Sequence, residues 1–363
     1  MKQIKGLSRG MGIGGWLTNY KRFNVLPMDR RIDITVGDME HFAEYISEWD
    51  IANIAKMGFD HVRVGFDQIV IEDAPYHYRE EICAHLMHFV GWCQKYGLIP
   101  VLNLHKAIGN YCDIKEEVSL LDSEPLQDRF VALWMMLEEL FSECSEVMFE
   151  LLNEVRDVGP ALWNRLAKKT IDAIRSKNPS RWIIVGSTNW NSTKTLCDLA
   201  VYDDEYVIYT FHMYSPFLFT HQRGVLQAGP LYYNRKLQYP SEDIMRYRDY
   251  YRLIGESDPY ADLSRMDIDY LRRALSGAAE FVRMHPDKIL WCGEFGTIRH
   301  ADPASRENWM RDVITVLKEN DIPYCVWNYL STPNDGNRFS LVDDDTREIL
   351  SASLLKALLG EHD

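Results

Sequence analysis

With 363 residues, 46% hydrophobic and 26% charged, the chain has the composition of a folded globular protein that can bury a large core. Its formal net charge of -14 at pH 7 leaves no excess of Lys and Arg to neutralise phosphates, which argues against nucleic acid as a partner. Cys83, Cys93, Cys112, Cys144, Cys197, Cys292 and Cys325 are odd in number and lack CxxC spacing, so they read as reduced, mostly buried thiols and not as a disulfide framework or zinc site.

The opening MKQIKGLSRGMGIGGW has no continuous apolar stretch of the kind a secretory leader needs, and nothing later stays apolar long enough to cross a bilayer. The expected address is therefore cytoplasmic, with release by an unrecognised route as the alternative, and no membrane partner is expected. Eight short apolar, β-branched runs follow in order: GMGIGGWL (10–17), HVRVGF (61–66), IPVLNLH (99–105), VMFELLNE (147–154), WIIVGSTN (182–189), YVIYTFHMY (206–214), KILWCGEFG (288–296) and IPYCVWNYL (322–330). Most are continuously hydrophobic, the pattern of parallel strands covered on both faces. Between them lie segments with apolar residues at helical spacing, such as 38–58, with Gly58 as its stop signal, and 304–320. Eight strands alternating with helices, without a linker, predict an α/β fold: one (β/α)8 TIM barrel spanning residues 1–363.

One interval breaks the rhythm. Residues 215–266, after the sixth strand, exceed an ordinary βα loop and are rich in tyrosine. An insertion there leaves from the active face of such a barrel, so it either walls a cleft or forms a subdomain packed by its own aromatics.

Polar residues gather where the strands end: Arg63, Asn103 and His105, Asn153 and Glu154, Asn189, His212 and Tyr214, Glu294, and Trp327 with Asn328. Singly, each reads as a buried polar group satisfied by a neighbour. Together they read as a site, because converging charges are costly unless chemistry requires them. Glu154 and Glu294 end the fourth and seventh strands, which face one another across an eight-stranded ring. Glycoside hydrolysis needs such a pair, one carboxyl group protonated and the other ionised. The plain alternative is that each pairs with a nearby base, Glu154 with Arg156 and Glu294 with Arg299.

The words RVGF, LNLH, LLNE, FHMY, CGEFG and VWNY, in this order, resemble glycoside hydrolase family 5, the cellulase family. GGW, FDHVR, FELLNE, FTHQ and YCVWNY are similar to its signal-less clostridial endoglucanases of the Cel C type. The resemblance implies a retaining enzyme acting on β-1,4-glucans or cello-oligosaccharides, with Glu154 as acid/base, Glu294 as nucleophile and no metal or cofactor. It further implies that Asn153 binds the sugar 2-hydroxyl, that Arg63 and Tyr214 hold Glu294 ionised, and that His105, His212 and Trp327 line the cleaved sugar's subsite. His221 and Gln222 are implied only as contacts to a more distant sugar. Many members read Asn-Glu-Pro where this chain reads Asn-Glu-Val, so the loop after Glu154 is expected to differ.

Weaker substrate-stacking candidates are Trp16, Tyr20, Phe66 and Trp190, aromatics near strand ends that equally suit a core. His85 and His88 lack acidic or sulfur partners at ligand spacing and suit helix packing, and VDDDTRE (342–348) suits a solvated turn and helix start. Other β-glycan specificities on the same scaffold stay open: β-mannanase, mixed-linkage or β-1,3-glucanase, xyloglucanase and β-glucosidase. From other classes, a non-catalytic carbohydrate-binding barrel and a metal hydrolase remain. A monomer is expected.

Overall fold

The computed structural model describes residues 4–18, 34–111, 119–156, 158–224, 228–332 and 335–360. Each apolar run forms a strand: β1 Arg9–Leu17, β2 His61–Asp67, β3 Ile99–Lys106, β4 Met148–Glu150, β5 Trp182–Gly186, β6 Val207–Met213, β7 Ile289–Phe295 and β8 Tyr324–Val326. Neighbours in sequence pair in parallel, and β8 closes the ring on β1 through Arg9–Tyr324, Gly10–Cys325 and Met11–Val326. The expected TIM barrel is present.

Strand alternation explains how one ring makes both a core and a site. On the inner face, Val101, Met148, Ile184, Ile208 and Trp291 form an apolar plug with Leu7 and Ile289. Two residues further along the same faces come Asn103, Glu150, Gly186 and Thr210, so the interior turns polar towards the carboxyl ends. The outward residues, including Val64, Leu102, Phe149 and Val185, pack against the surrounding helices.

Several local expectations are corrected. Segment 38–58 is two helices, Val36–Glu44 and Glu48–Lys56, because the Asp50 carboxylate accepts from the Ser47 amide at 2.9 Å and its hydroxyl at 2.8 Å and starts a new helix. The β4 ladder stops at Glu150, so Glu154 lies in the turn beyond it with φ 45°, not at the strand's last paired position. A small hairpin, Glu72–Ala74 with His77–Tyr78, was not anticipated. Residues 343–348 form a turn, not a helix start: the Asp343 carboxylate accepts from the amides of Asp345 at 3.1 Å and Thr346 at 2.9 Å.

Within 215–266 lie helices Phe217–Thr220, Ala228–Tyr233 and Met245–Ile254, and Ser241 and Met266 exchange backbone hydrogen bonds. Its tyrosines pack largely on one another: Tyr247 and Tyr251 each meet Tyr260 edge-on within 6.0 Å, as does Tyr270 just beyond the segment. Tyr239 donates to Asp312 at 2.8 Å, tying the segment to helix Pro303–Glu319. No helix among the described residues is long and apolar enough to cross a membrane.

Candidate active site

Arg63 organises the mouth of the barrel. It projects inward from β2, wholly buried, and its Nε and Nη2 donate to the two oxygens of Glu150 at 2.6 and 3.0 Å. Nη1 donates to Glu294 Oε1 at 2.5 Å, and Nη2 also donates to Asn153 Oδ1 at 2.7 Å. One guanidinium thus fixes a carboxylate from β4, one from β7 and the amide beside Glu154. Glu150 is hidden in the sequence because it stands inside an otherwise apolar strand. Its signal was a carboxylate two residues after Met148, on the strand's inward face.

The hydroxyl of Tyr214 donates to Glu294 Oε2 at 2.8 Å. Ring nitrogen Nδ1 of His212 lies 3.0 Å from Glu154 Oε1 and 3.6 Å from Glu294 Oε2. Oxygens of the two glutamates approach within 4.8 Å. Neither glutamate takes the base proposed in the plain alternative: Arg299 is bound to Asp344 at 3.0 Å, and Glu154 is bound to His212.

The two carboxyl groups titrate in opposite directions. Burial raises the pKa of Glu154, and the charge of Glu294 adds to it, outweighing the opposing pull of His212 and Arg63. Burial also pushes Glu294 up, but the neighbouring His212, Arg63 and His105, with the Tyr214 hydrogen bond, overcome it and hold the group at about 2. The surroundings therefore favour the protonated form of Glu154 and the ionised form of Glu294. Glu154, His212 and Glu294 are near enough to surround a cation, yet Arg63 already supplies a positive charge at hydrogen-bonding distance from Glu294.

His105 and Trp327 form one wall, their rings stacked 5.6 Å apart at an interplanar angle of 3°. β1 makes room for this indole with glycine: a Cβ on Gly14 would stand 2.4 Å from Trp327 Cζ2 and Cη2. Asn103 supports the wall, its Oδ1 lying 3.0 Å from His105 Nδ1.

The structure does not bring every candidate here. Trp16 is a core residue: Gly15, at φ 75°, breaks the alternation of β1, so the indole turns outward, donates to Phe42 O at 2.7 Å and stacks near Trp92. Phe66 is likewise buried, against Trp134. Asn189 is exposed, and the asparagine that reaches the site is Asn191, whose Nδ2 lies 3.1 Å from His212 Nε2. The repeated Asn in NWN, a residue tolerant of left-handed backbone, was the available clue.

Trp190 is 41% exposed, with its amide bonded to Val155 O, so it borders the loop after Glu154. His221 is buried beneath Tyr214, stacked on Phe217 at 3.9 Å, and burial lowers its pKa to about 3. It therefore backs the site from within an aromatic cluster. Gln222 braces the inserted segment through Phe219 O and Leu237. His85 and His88 pack against Trp16 and Trp92, as a helix-packing role requires. Tyr20, Cys112 and Asp157 lie outside the described residues. A separate cavity of about 470 Å³, lined by Lys236, Tyr247, His300 and Asp302 among others, takes in none of the site residues.

A closed parallel barrel with two differently tuned carboxylates at its mouth has the makings of a glycoside hydrolase. A family model for cellulase (glycosyl hydrolase family 5) matches residues 30–332. Endoglucanase C of Acetivibrio thermocellus is 36% identical, the match covering 88% of this chain and 90% of that protein. Cellodextrinase A of Ruminococcus flavefaciens is 27% identical, covering 89% and 85%. Among solved structures, a hyperthermophilic endo-β-1,4-glucanase in complex with substrate superposes with a TM-score of 0.72 at 22% identity, covering 98% of each chain. Thermotoga maritima Cel5A with cellobiose gives 0.72 at 24% identity, again covering 98% of each. The chain belongs to glycosyl hydrolase family 5, the cellulase family, and is a glycoside hydrolase.

Proposed function

We propose that this enzyme hydrolyses β-1,4-linked glucan chains, cutting internally and with retention of anomeric configuration. The observation that carries the reading is two glutamates with oxygens within 4.8 Å, one with a raised pKa and one held at about 2. Retaining enzymes place their carboxyl groups about 5–5.5 Å apart, whereas inverting enzymes leave about 6.5–9.5 Å for a water. The names of Endoglucanase C and Cellodextrinase A support glucan chains as the substrate class.

In the first step Glu294 attacks the anomeric carbon and forms a glycosyl ester. The electron pair of the breaking glycosidic bond passes to the leaving oxygen, which takes the proton of Glu154. In the second step water gives a proton to Glu154 and attacks the same carbon, and the ester pair returns to Glu294. Arg63 and Tyr214 keep Glu294 ionised between turnovers. Arg63 occupies Asn153 Oδ1, so the amide nitrogen is the group that would donate to the sugar 2-hydroxyl. His105 and Trp327 form the wall of the cleaved sugar's subsite. The working form is proposed to be a monomer; sedimentation at working concentration tests that.

The deciding experiment is reducing-end release from carboxymethyl cellulose, mixed-linkage glucan, glucomannan and cello-oligosaccharides, with the native protein beside Glu294→Gln. Hydrolysis of the β-1,4-glucans that collapses in the variant supports the reading. No turnover of any substrate, or equal turnover by both proteins, overturns it.

A further inference from the structure

We propose that Asn191 is a positioning residue: it fixes which nitrogen of His212 carries the proton, and thereby which oxygen of Glu154 carries the one used on the substrate. The inference deepens the reading above and rests on the acid role of Glu154.

The seat of Asn191 is unusual. Asn189, Trp190 and Asn191 all have left-handed backbone, with φ of 55°, 57° and 53°, a conformation that side-chain-bearing residues seldom adopt singly, let alone in succession. The turn is tied to the loop after Glu154 by the amide of Trp190 donating to Val155 O at 2.9 Å and that of Asn189 to Arg156 O at 3.4 Å. Asn191 is completely buried, and a Cβ on Gly186 would stand 2.6 Å from its Oδ1. Backbone and packing together set one amide against one imidazole.

An amide nitrogen only donates, so at 3.1 Å from Asn191 Nδ2 the His212 Nε2 must accept, and the ring proton resides on Nδ1. That N–H is 3.0 Å from Glu154 Oε1 and 3.6 Å from Glu294 Oε2. Tyr214 meets this ring edge-on at 6.4 Å, Arg63 lies beyond Glu294, and Thr210 Oγ1 borders the space beside Nε2, both atoms lying near where a Cβ on Gly293 would stand. With Oε1 occupied as an acceptor, the acid proton of Glu154 sits on Oε2, available to the leaving oxygen. In the opposite tautomer the Nδ1 lone pair would accept that proton and hold it away from the substrate.

Asn191→Leu keeps the bulk and removes the donor. Its kcat/KM on cello-oligosaccharides is expected to fall about 10- to 100-fold, part of what a general acid contributes. On 2,4-dinitrophenyl β-cellobioside, whose leaving group departs without a proton, kcat/KM should stay within about threefold, which also reports correct folding. Independently of any variant, ¹⁵N–¹H spectra of histidine-labelled native protein should place the His212 proton on Nδ1. Equal losses on both substrates, or a native His212 protonated on Nε2, overturn the proposal. If Glu154→Gln instead cleaves cello-oligosaccharides undiminished, the acid role itself fails, while the tautomer measurement still stands.

Discussion

Two buried arginines, one near each end of the barrel, show the difference between an ion pair that holds a fold and one that holds a reagent. Arg181, just before β5, directs all five donors into fixed partners: both oxygens of Glu138 at 2.7 and 3.2 Å, and the carbonyls of Phe141, Cys144 and Val147. Arg63 divides its donors between Glu150, which is equally buried, Asn153, and Glu294, whose second oxygen is held by Tyr214 beside the mouth. The same guanidinium chemistry is closed in one case and left facing a reactive carboxylate in the other. Buried pairs of the first kind are costly to break from one side. Those of the second kind tune a pKa.

Breaking the reactive side should have the largest effect on rate. Glu294→Gln is expected to lower kcat by at least about 10³-fold and to lower the melting temperature through loss of the Arg63–Glu294 pair, with the fold retained because Arg63 keeps Glu150; steady-state kinetics with a melting curve check both. Arg181→Met should invert that outcome. It strands the Glu138 carboxylate, which costs about 3–5 kcal/mol of stability in denaturant titration, with kcat per folded molecule unchanged. A slower variant that is otherwise stable would erase the distinction.

Arg63→Lys sharpens the contrast through pH. The acid limb of kcat/KM follows ionisation of Glu294, held at about 2, and the basic limb follows loss of the proton from Glu154, above the ordinary carboxylate range. Losing the forked contacts should move the acid limb to higher pH and lower kcat/KM about 10- to 100-fold. The sign for stability follows: a depressed Glu294 stabilises the fold above the unfolded carboxyl value near ~4, and that contribution is lost as pH falls towards about 2. The Arg63→Lys variant should narrow this window. The smallest expected effect is none: a chelator should leave kcat unchanged in the native enzyme, whereas inhibition reversed by a divalent cation would assign Glu154, His212 and Glu294 to a metal.

The barrel was legible because parallel strands covered on both faces announce themselves as apolar runs, and all eight were found. Glu154, Glu294, Arg63 and Tyr214 were legible because each is a polar residue set inside, or at the end of, an otherwise apolar run. What stayed hidden depended on backbone direction after or within a strand. Trp16 follows a left-handed glycine that reverses its side, and Asn191 ends a left-handed turn that exchanges its place with Asn189. Glu150 was hidden for a different reason: hydropathy averages a lone inward carboxylate into its apolar neighbours, although alternation along β4 pointed to it.

The closure of the ring by its first and last strands also has a consequence for how the protein is born. β1 finds β2 early in synthesis, but its other edge waits for Tyr324–Val326, and the Trp327 indole settles beside Gly14 only then. Until β8 is made the nascent chain therefore carries an open strand edge, the kind of surface chaperones shield. A chain stalled on the ribosome before residue 324 holds both glutamates and Arg63 yet lacks Trp327 and the wall it forms with His105. Catalytic competence is thus expected to arrive in a single step, once β8 is made, and not to grow with chain length.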